Sequence, residues 1–190
     1  MNRTSILVLS IVLLVLVSAP FTQATQILHR TPQQLGAESE LVVHGRVMTV
    51  QSAWNDKRTK IFTTTMISVE NTYKGAAVPT VEIIQLGGVV DNIRVNVSGS
   101  LQWRPGEEVV LFLAPYEGRY AVSGFSQGKF NVKRDAKTGK AYIERPELEG
   151  VEIMGAPSKD GTTKPTKVEN VPLEEFVNRA LGSGSKGGAK

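Results

Sequence analysis

The chain has no cysteine among its 190 residues and only two histidines, His29 and His44. The lack of cysteine excludes disulfides, thiolate metal ligands, thiol nucleophiles and the lipid-bearing cysteine of a bacterial lipoprotein. Secreted eukaryotic domains of this size often carry disulfides, so their absence favours a bacterial source. Two separated histidines without a matching group of carboxylates do not predict a zinc site. We therefore expect no metal site and no cofactor.

An excess of charge of one sign is also lacking. The 22 lysines and arginines are interleaved with 18 aspartates and glutamates, and the formal net charge is only +4. A mixed, weakly basic surface favours solubility and at most a mild attraction to polyanions. A nucleic-acid groove would need aromatic side chains that stack on bases, and several of the aromatic residues here fall on turns or in expected core positions. Nucleic acid is therefore not expected as a partner.

Long apolar runs are absent except at the start of the chain. Arg3 precedes an apolar run from Ile6 to Val17, and small residues follow at Thr22-Gln23-Ala24. This three-part pattern is typical of a cleavable signal peptide over residues 1–24. The run is shorter than the roughly 20 apolar residues that span a bilayer. The sequence thus predicts an exported protein, periplasmic or extracellular, with no membrane span once the signal is removed.

Short segments rich in β-branched residues follow, separated by glycine and proline turns. In the first of them, Leu41, Val43 and Val47 alternate with His44 and Arg46, which is the period of a strand. The unbroken apolar run 109–113 instead predicts a strand buried on both faces. Seven or eight such segments predict a mainly β domain over residues 25–145, either a sandwich or a small barrel.

The end of the chain changes character. Residues 146–169 are polar and aperiodic, and we interpret them as a loop or linker. Residues 170–181 predict one amphipathic C-terminal helix, because apolar residues recur there at helical spacing from Leu173 to Leu181. The glycine- and serine-rich residues 182–190 predict a disordered tail.

Five stretches carry a resemblance to known proteins. They are 40–47, 73–75, 87–88, 106–113 and 124–130. Together they resemble a family of uncharacterised exported bacterial proteins. Over residues 38–132 their order is also similar to the OB-like barrel of netrin-like domains, which include the tissue inhibitors of metalloproteinases. The resemblance implies an OB-like barrel. It does not carry over the inhibitory N-terminal cysteine, because a mature chain would begin with Thr25.

Two patterns of known enzymes also occur in the chain. Residues 124–128 match the nucleophile elbow G-x-S-x-G around Ser126, and 182–187 match a dinucleotide fingerprint. The elbow requires a helix after the serine, but a strand-like segment follows here. The fingerprint requires a helix that begins at the glycines, but here a helix ends. Consecutive Glu107 and Glu108 point to opposite strand faces and cannot act as an acid–base pair. We predict that the protein is not an enzyme.

Two pairs of residues are candidates for binding. Trp103 beside Arg104 suits either a ligand platform or a cover over the end of the barrel. His44 and Arg46 lie on one strand face, where they suit either an anion or a partly wet sheet surface. We expect a non-enzymatic module that binds a protein or polysaccharide. The alternatives are an inhibitor or accessory partner of a secreted protease and, in a third class, a hydrolase that uses Ser126.

Overall fold

A computed structural model describes residues 25–146, 151–154 and 171–182. The predicted signal peptide and residues 183–190 of the predicted tail lie outside the described residues. Two helices are present, α1 (Pro32–Glu38) and α2 (Leu173–Ala180). The strands, in chain order, are β1 (Thr25–Leu28), β2 (Leu41–Trp54), β3 (Ile61–Lys74), β4 (Thr80–Leu86), β5 (Gly88–Val90), β6 (Ile93–Val95), β7 (Glu108–Tyr116), β8 (Arg119–Val122), β9 (Lys129–Arg134), β10 (Ala141–Glu144), β11 (Val151–Met154) and β12 (Val171–Pro172).

Five strands form a partly closed ring. The main sheet has the order β12-β10-β9-β7-β2-β3-β4-β8, and β8 returns to pair with β7. The β7–β8 pairing is antiparallel and continuous from Leu113↔Val122 to Tyr116↔Arg119. The β4–β8 pairing is parallel and consists of the single pair Ile83↔Tyr120. The predicted mainly β fold with a C-terminal helix is confirmed, and its barrel-like ring is partial, being open along most of the β4–β8 seam.

Strands β2 and β7 contribute to two separate cores because their side chains alternate between the faces of the sheet. Val109, Leu111 and Leu113 face the interior of the ring, whereas Val110 and Phe112 face outward. All five side chains are fully buried. The prediction of a strand buried on both faces is therefore confirmed.

The two helices cover the outer core. Phe176 of α2 lies against Phe112 and Phe130 of the sheet, with ring centroids 6.2 and 4.6 Å away. The helix α1 begins with a capping box, in which Thr31 and Gln34 bond each other's backbone amides. That pattern satisfies two amides that would otherwise lack partners at a helix start. No helix among the described residues has the length and apolarity needed to cross a membrane.

Two pairs of strands lie apart from the main sheet. Residues 93–95 form β6, which pairs with β5 in a separate hairpin. The expected linker 146–169 contains β11, which pairs in parallel with β1. A parallel pairing between segments so far apart in the chain has no turn signal between them, and only tertiary structure reveals it.

Candidate binding cleft

The open seam of the ring forms a cleft of about 200 Å³. Beyond the pair Ile83↔Tyr120, β4 and β8 form no further register pairs, and the space is lined from both sides. Apolar side chains dominate the lining. The lining residues are Phe62, Ile83, Ile84, Gln85, Leu86, Val97, Ser100, Leu101, Tyr116, Ala121, Val122, Phe125 and Ser126.

One edge of the cleft is the segment 97–101, which Gln85 holds in place. The Gln85 side chain donates to the Leu101 carbonyl at 2.9 Å and accepts from the Leu101 amide at 3.1 Å. These two hydrogen bonds satisfy both the amide and the carbonyl of Leu101, at the end of this half-buried segment. Leu101 is consequently buried, and its side chain forms part of the cleft lining.

The opposite edge is the turn 124–128, which connects β8 to β9. Phe125 and Ser126 both have positive φ, at 54° and 84°. Residues other than glycine rarely adopt this region, so the surrounding structure must hold them there. Gln127, which is only 2% exposed, bonds to the carbonyl of Gly124 within the same turn. The strained backbone presents Phe125 and Ser126 to the cleft.

The rim of the cleft exposes large apolar side chains. Leu86, Tyr116 and Phe125 are 41%, 42% and 46% exposed. Single exposed apolar residues are ordinary, but three around one concave site form a patch that favours contact with a partner. Such a site has the chemistry to accept an apolar group.

Among the described residues, no hydrogen bond joins the Ser126 side chain to either histidine. His44 is instead bonded to Glu108. The turn is followed by the strand β9, as expected, rather than by the helix that a nucleophile elbow requires. The arrangement therefore offers Ser126 as a polar lining group of the cleft.

A second cluster lies on the outer face of the ring, around the buried carboxylate of Glu108. Its Oε1 accepts from Arg134 Nη2 at 2.6 Å and lies 2.9 Å from His44 Nε2, and its Oε2 accepts from Arg46 at 2.9 Å. Burial alone raises the pKa of this carboxyl, but the hydrogen bonds from Arg134 and His44 and the charges of Arg134 and Arg46 lower it to about 2. Glu108 is ionised at every physiological pH.

The cluster includes a group with metal-ligating atoms. One ligand atom each of His44, Glu70 and Glu108 lies within 4.8 Å of the others. The expectation that no carboxylate group accompanies a histidine is therefore wrong, because β2, β3 and β7 bring these residues together. The guanidinium groups of Arg46 and Arg134 already bind Glu108 and supply the positive charge that a cation would supply. We interpret the cluster as an ion-pair network.

The structure separates the two pairs of residues selected from the sequence. His44 and Arg46 both bind Glu108 on the outer face. Trp103 is half-buried against the inner core, and its indole N–H donates to Gln85 Oε1 at 3.4 Å. The Lys129 ammonium lies 4.8 Å from the centroid of the Trp103 ring. Of the two interpretations of Trp103, this position matches a tryptophan that covers the end of the barrel. Arg104 is exposed beside it.

The cleft itself was missed by sequence reasoning, apart from Ser126 and Phe125 in the elbow-like pattern. None of Trp103, Arg104, His44 and Arg46 lines it. The cleft arises where two strands far apart in the chain diverge, and no local periodicity records that. No protein-family model matches the chain, and no curated protein matches it either.

Proposed function

We propose that this protein is an exported, non-enzymatic binding module that receives an apolar side chain of a protein partner in the cleft between β4 and β8. The observation that carries the proposal is the exposed apolar rim of Leu86, Tyr116 and Phe125 around a concave site. Burying a side chain the size of leucine or phenylalanine contributes about 1.5–3 kcal/mol. One such anchor is typical of the few residues that dominate a protein interface.

The polar groups near the cleft support binding rather than turnover. Gln85 is committed to Leu101 and Trp103, and Gln127 is committed to the backbone around it. Glu108, which lies on the outer face of the ring and does not line the cleft, is committed to two arginines and a histidine. General acid–base catalysis requires a group near its titration midpoint within reach of the substrate. A carboxyl with a pKa of about 2 does not meet that requirement.

The test is a quantitative binding measurement on the full chain, purified as its host produces it. A partner is cross-linked and recovered from the exported fraction, and its affinity is then measured with purified components. Phe125→Asn removes the aromatic ring while keeping a residue that tolerates positive φ. Leu86→Ser removes the exposed apolar side chain that β4 contributes to the rim of the cleft. Each is expected to weaken binding about tenfold, which corresponds to the loss of one anchor.

Met48→Ser is the matched control, because Met48 is 51% exposed and lies outside the cleft. Its affinity should equal that of the parent chain. A partner whose affinity is equally affected by all three substitutions, or by none, overturns the proposal. Covalent labelling of Ser126 by a fluorophosphonate overturns it in favour of a hydrolase.

The alternative function, inhibition of a secreted protease, is decided by the identity of the partner. A protease that is recovered and then inhibited with Phe125-dependent affinity would make the cleft an inhibitory site. A protease inhibited equally by the parent chain and by Phe125→Asn would place inhibition elsewhere and contradict the role of the cleft.

A further inference from the structure

The N-terminal residues of the described chain are bonded directly to one wall of the cleft. Gln127 Nε2 donates to the Leu28 carbonyl at 2.9 Å, and Gln127 Oε1 accepts from the Arg30 amide at 2.9 Å. The same Nε2 donates to the Gly124 carbonyl at 3.0 Å. One buried amide side chain therefore joins the segment 25–30 to the turn that carries Phe125 and Ser126.

The same wall is packed against α1 and the residues that flank it. A Cβ at Gly124 would lie 2.8 Å from Leu35 Cδ2 and 3.3 Å from Arg30 Cγ, so the turn approaches closely on that side. At the end of β8, the hydroxyl of Ser123 lies 2.7 Å from that of Ser39. The contacts of Ser123 and Gly124 hold one side of the turn in place. The side chain of Gln127 joins the turn to the segment 25–30.

The strand of the segment 25–30, β1, lies outside the main sheet. Within the described chain, β1 pairs with β11 in a two-stranded parallel sheet apart from the main sheet. Parallel pairing is slightly less stable per residue than antiparallel pairing, and an isolated two-stranded sheet is marginally stable in water. The segment is therefore expected to open more readily than the ring strands.

We propose that residues 25–30 form a strap that positions Phe125 and Ser126 through Gln127, so that the cleft keeps its shape only while the strap is docked. The positive φ angles of Phe125 and Ser126 require the surroundings to hold them. When the strap leaves, the buried polar groups of Gln127 lose two of their three bonds, and the turn relaxes away from the cleft. Gln127 is a positioning residue.

Only the effect of the strap on partner binding rests on the proposed function. The docking of the strap is therefore tested first, on the protein without a partner. Hydrogen exchange is measured at the amides of Gln127, Gly128 and Lys129, whose acceptors lie within 123–126. Gln127→Met removes the three bonds with little change of volume, and we expect exchange at these amides to become at least about tenfold faster. Gln51→Met makes the same chemical change on an exposed position of β2 and should leave exchange unchanged.

A second variant perturbs the strap at β1 and leaves the sequence of the turn intact. Ile153→Pro disrupts the pairing of β11 with Ile27. Faster exchange at Gly128 in this variant, with unchanged exchange in β2 and β3, supports coupling through the strap. Unchanged exchange in the turn for both variants overturns the strap.

The two proposals fail in different ways. If exchange in the turn accelerates in Ile153→Pro as well as in Gln127→Met, and the affinity of both for the partner falls about tenfold, both proposals stand. If exchange accelerates in both variants while affinity stays the same, the strap stands and the cleft is not the binding site. If exchange accelerates only in Gln127→Met, which also removes the bond to Gly124 within the turn, the strap is wrong. If affinity depends on Phe125 while turn exchange never changes, the cleft stands and the strap is wrong.

Discussion

Glu107 and Glu108 are consecutive residues whose carboxylates lie on opposite faces of the ring. Glu107 Oε2 accepts from the buried Lys129 ammonium at 2.8 Å on the inner side, whereas Glu108 accepts from Arg46 and Arg134 on the outer side. The alternation of side chains along a strand produces this division. It confirms the prediction that the two side chains point to opposite strand faces, and it gives each face its own ion pair.

Glu108→Gln is expected to lower the free energy of unfolding at pH 7 by about 3 kcal/mol. The reason is that the folded state lowers the pKa of this carboxyl from 4.5 to about 2, and 1 pKa unit corresponds to about 1.4 kcal/mol. A lowered carboxyl pKa stabilises the fold above about pH 4.5, and that contribution is lost as the pH falls towards 2. Urea unfolding between pH 7 and 2 measures the difference between the two chains.

The difference between parent and Glu108→Gln should shrink through that acidic window and remain constant above it. Glu175→Gln is the control, because the exposed Glu175–Arg179 pair is worth well under about 1 kcal/mol. A difference that does not depend on pH would contradict the assignment of Glu108 as the ionised centre of the cluster.

Lys129→Met tests the inner ion pair. The Lys129 side chain is 2% exposed, and burial lowers its pKa although Glu107 opposes that shift. A lowered lysine pKa means that the folded state releases the proton first, so the stability of the parent chain rises with pH as the unfolded value of about 10.5 is approached. We expect a loss of about 2 kcal/mol at pH 7, because the carboxylate of Glu107 and the carbonyl of Gln102 lose their partner.

The measurement for Lys129→Met is unfolding at several pH values from 7 to 10. The gap between the parent and the variant should be constant near neutrality and should widen in the alkaline range. A gap that narrows with rising pH would mean that burial does not dominate the titration of Lys129.

Phe176→Ala should cost about 3–5 kcal/mol, the range for truncating a buried aromatic side chain. Phe176 is 3% exposed and is the contact of α2 with the rings of Phe112 and Phe130. Leu181→Ala, at the partly buried end of the same helix, should cost distinctly less. Thermal unfolding of both variants decides this, and equal losses would mean that the aromatic contact does not hold α2 in place.

Gly36→Ala is expected to destabilise the protein by about 1–3 kcal/mol, although alanine normally stabilises a helix relative to glycine. A Cβ at Gly36 would clash with the Ala180 carbonyl oxygen, so α1 and α2 approach each other closely at this glycine. Urea unfolding and the amide chemical shifts of α2 measure the effect. Ala37→Gly, one position later and exposed, should cost about 1 kcal/mol through helix propensity and leave the α2 shifts unchanged. A stabilised Gly36→Ala would contradict the close approach.

Local patterns predicted the elements well where one face or both faces of a segment are buried. The apolar stripe from Leu173 predicted α2. The apolar run 109–113 predicted a strand with two buried faces, and β7 has them. Each of these signals depends on residues within a few positions of one another, which is the range over which periodicity acts.

The cluster around Glu108 could not be predicted from such local patterns. Its residues come from β2, β3, β7 and β9, and the pairing register alone places His44 opposite Val110 and Asn71. The sequence placed His44 and Arg46 on one strand face, and both bind Glu108 on the outer face of the ring. It did not predict their carboxylate partners, Glu70 and Glu108, because no local signal links positions on different strands.

By itself, then, the sequence determined the class of the fold, the two faces of its central strands and the amphipathic helix, since these follow from the order of apolar and polar residues along short segments. Tertiary structure alone decided that the ring stays open between β4 and β8, that β1 pairs with β11, and that Gln127 joins the N-terminal residues to the cleft. These features depend on how distant strands meet in space, and the energy of such contacts is set by register and packing rather than by any local pattern.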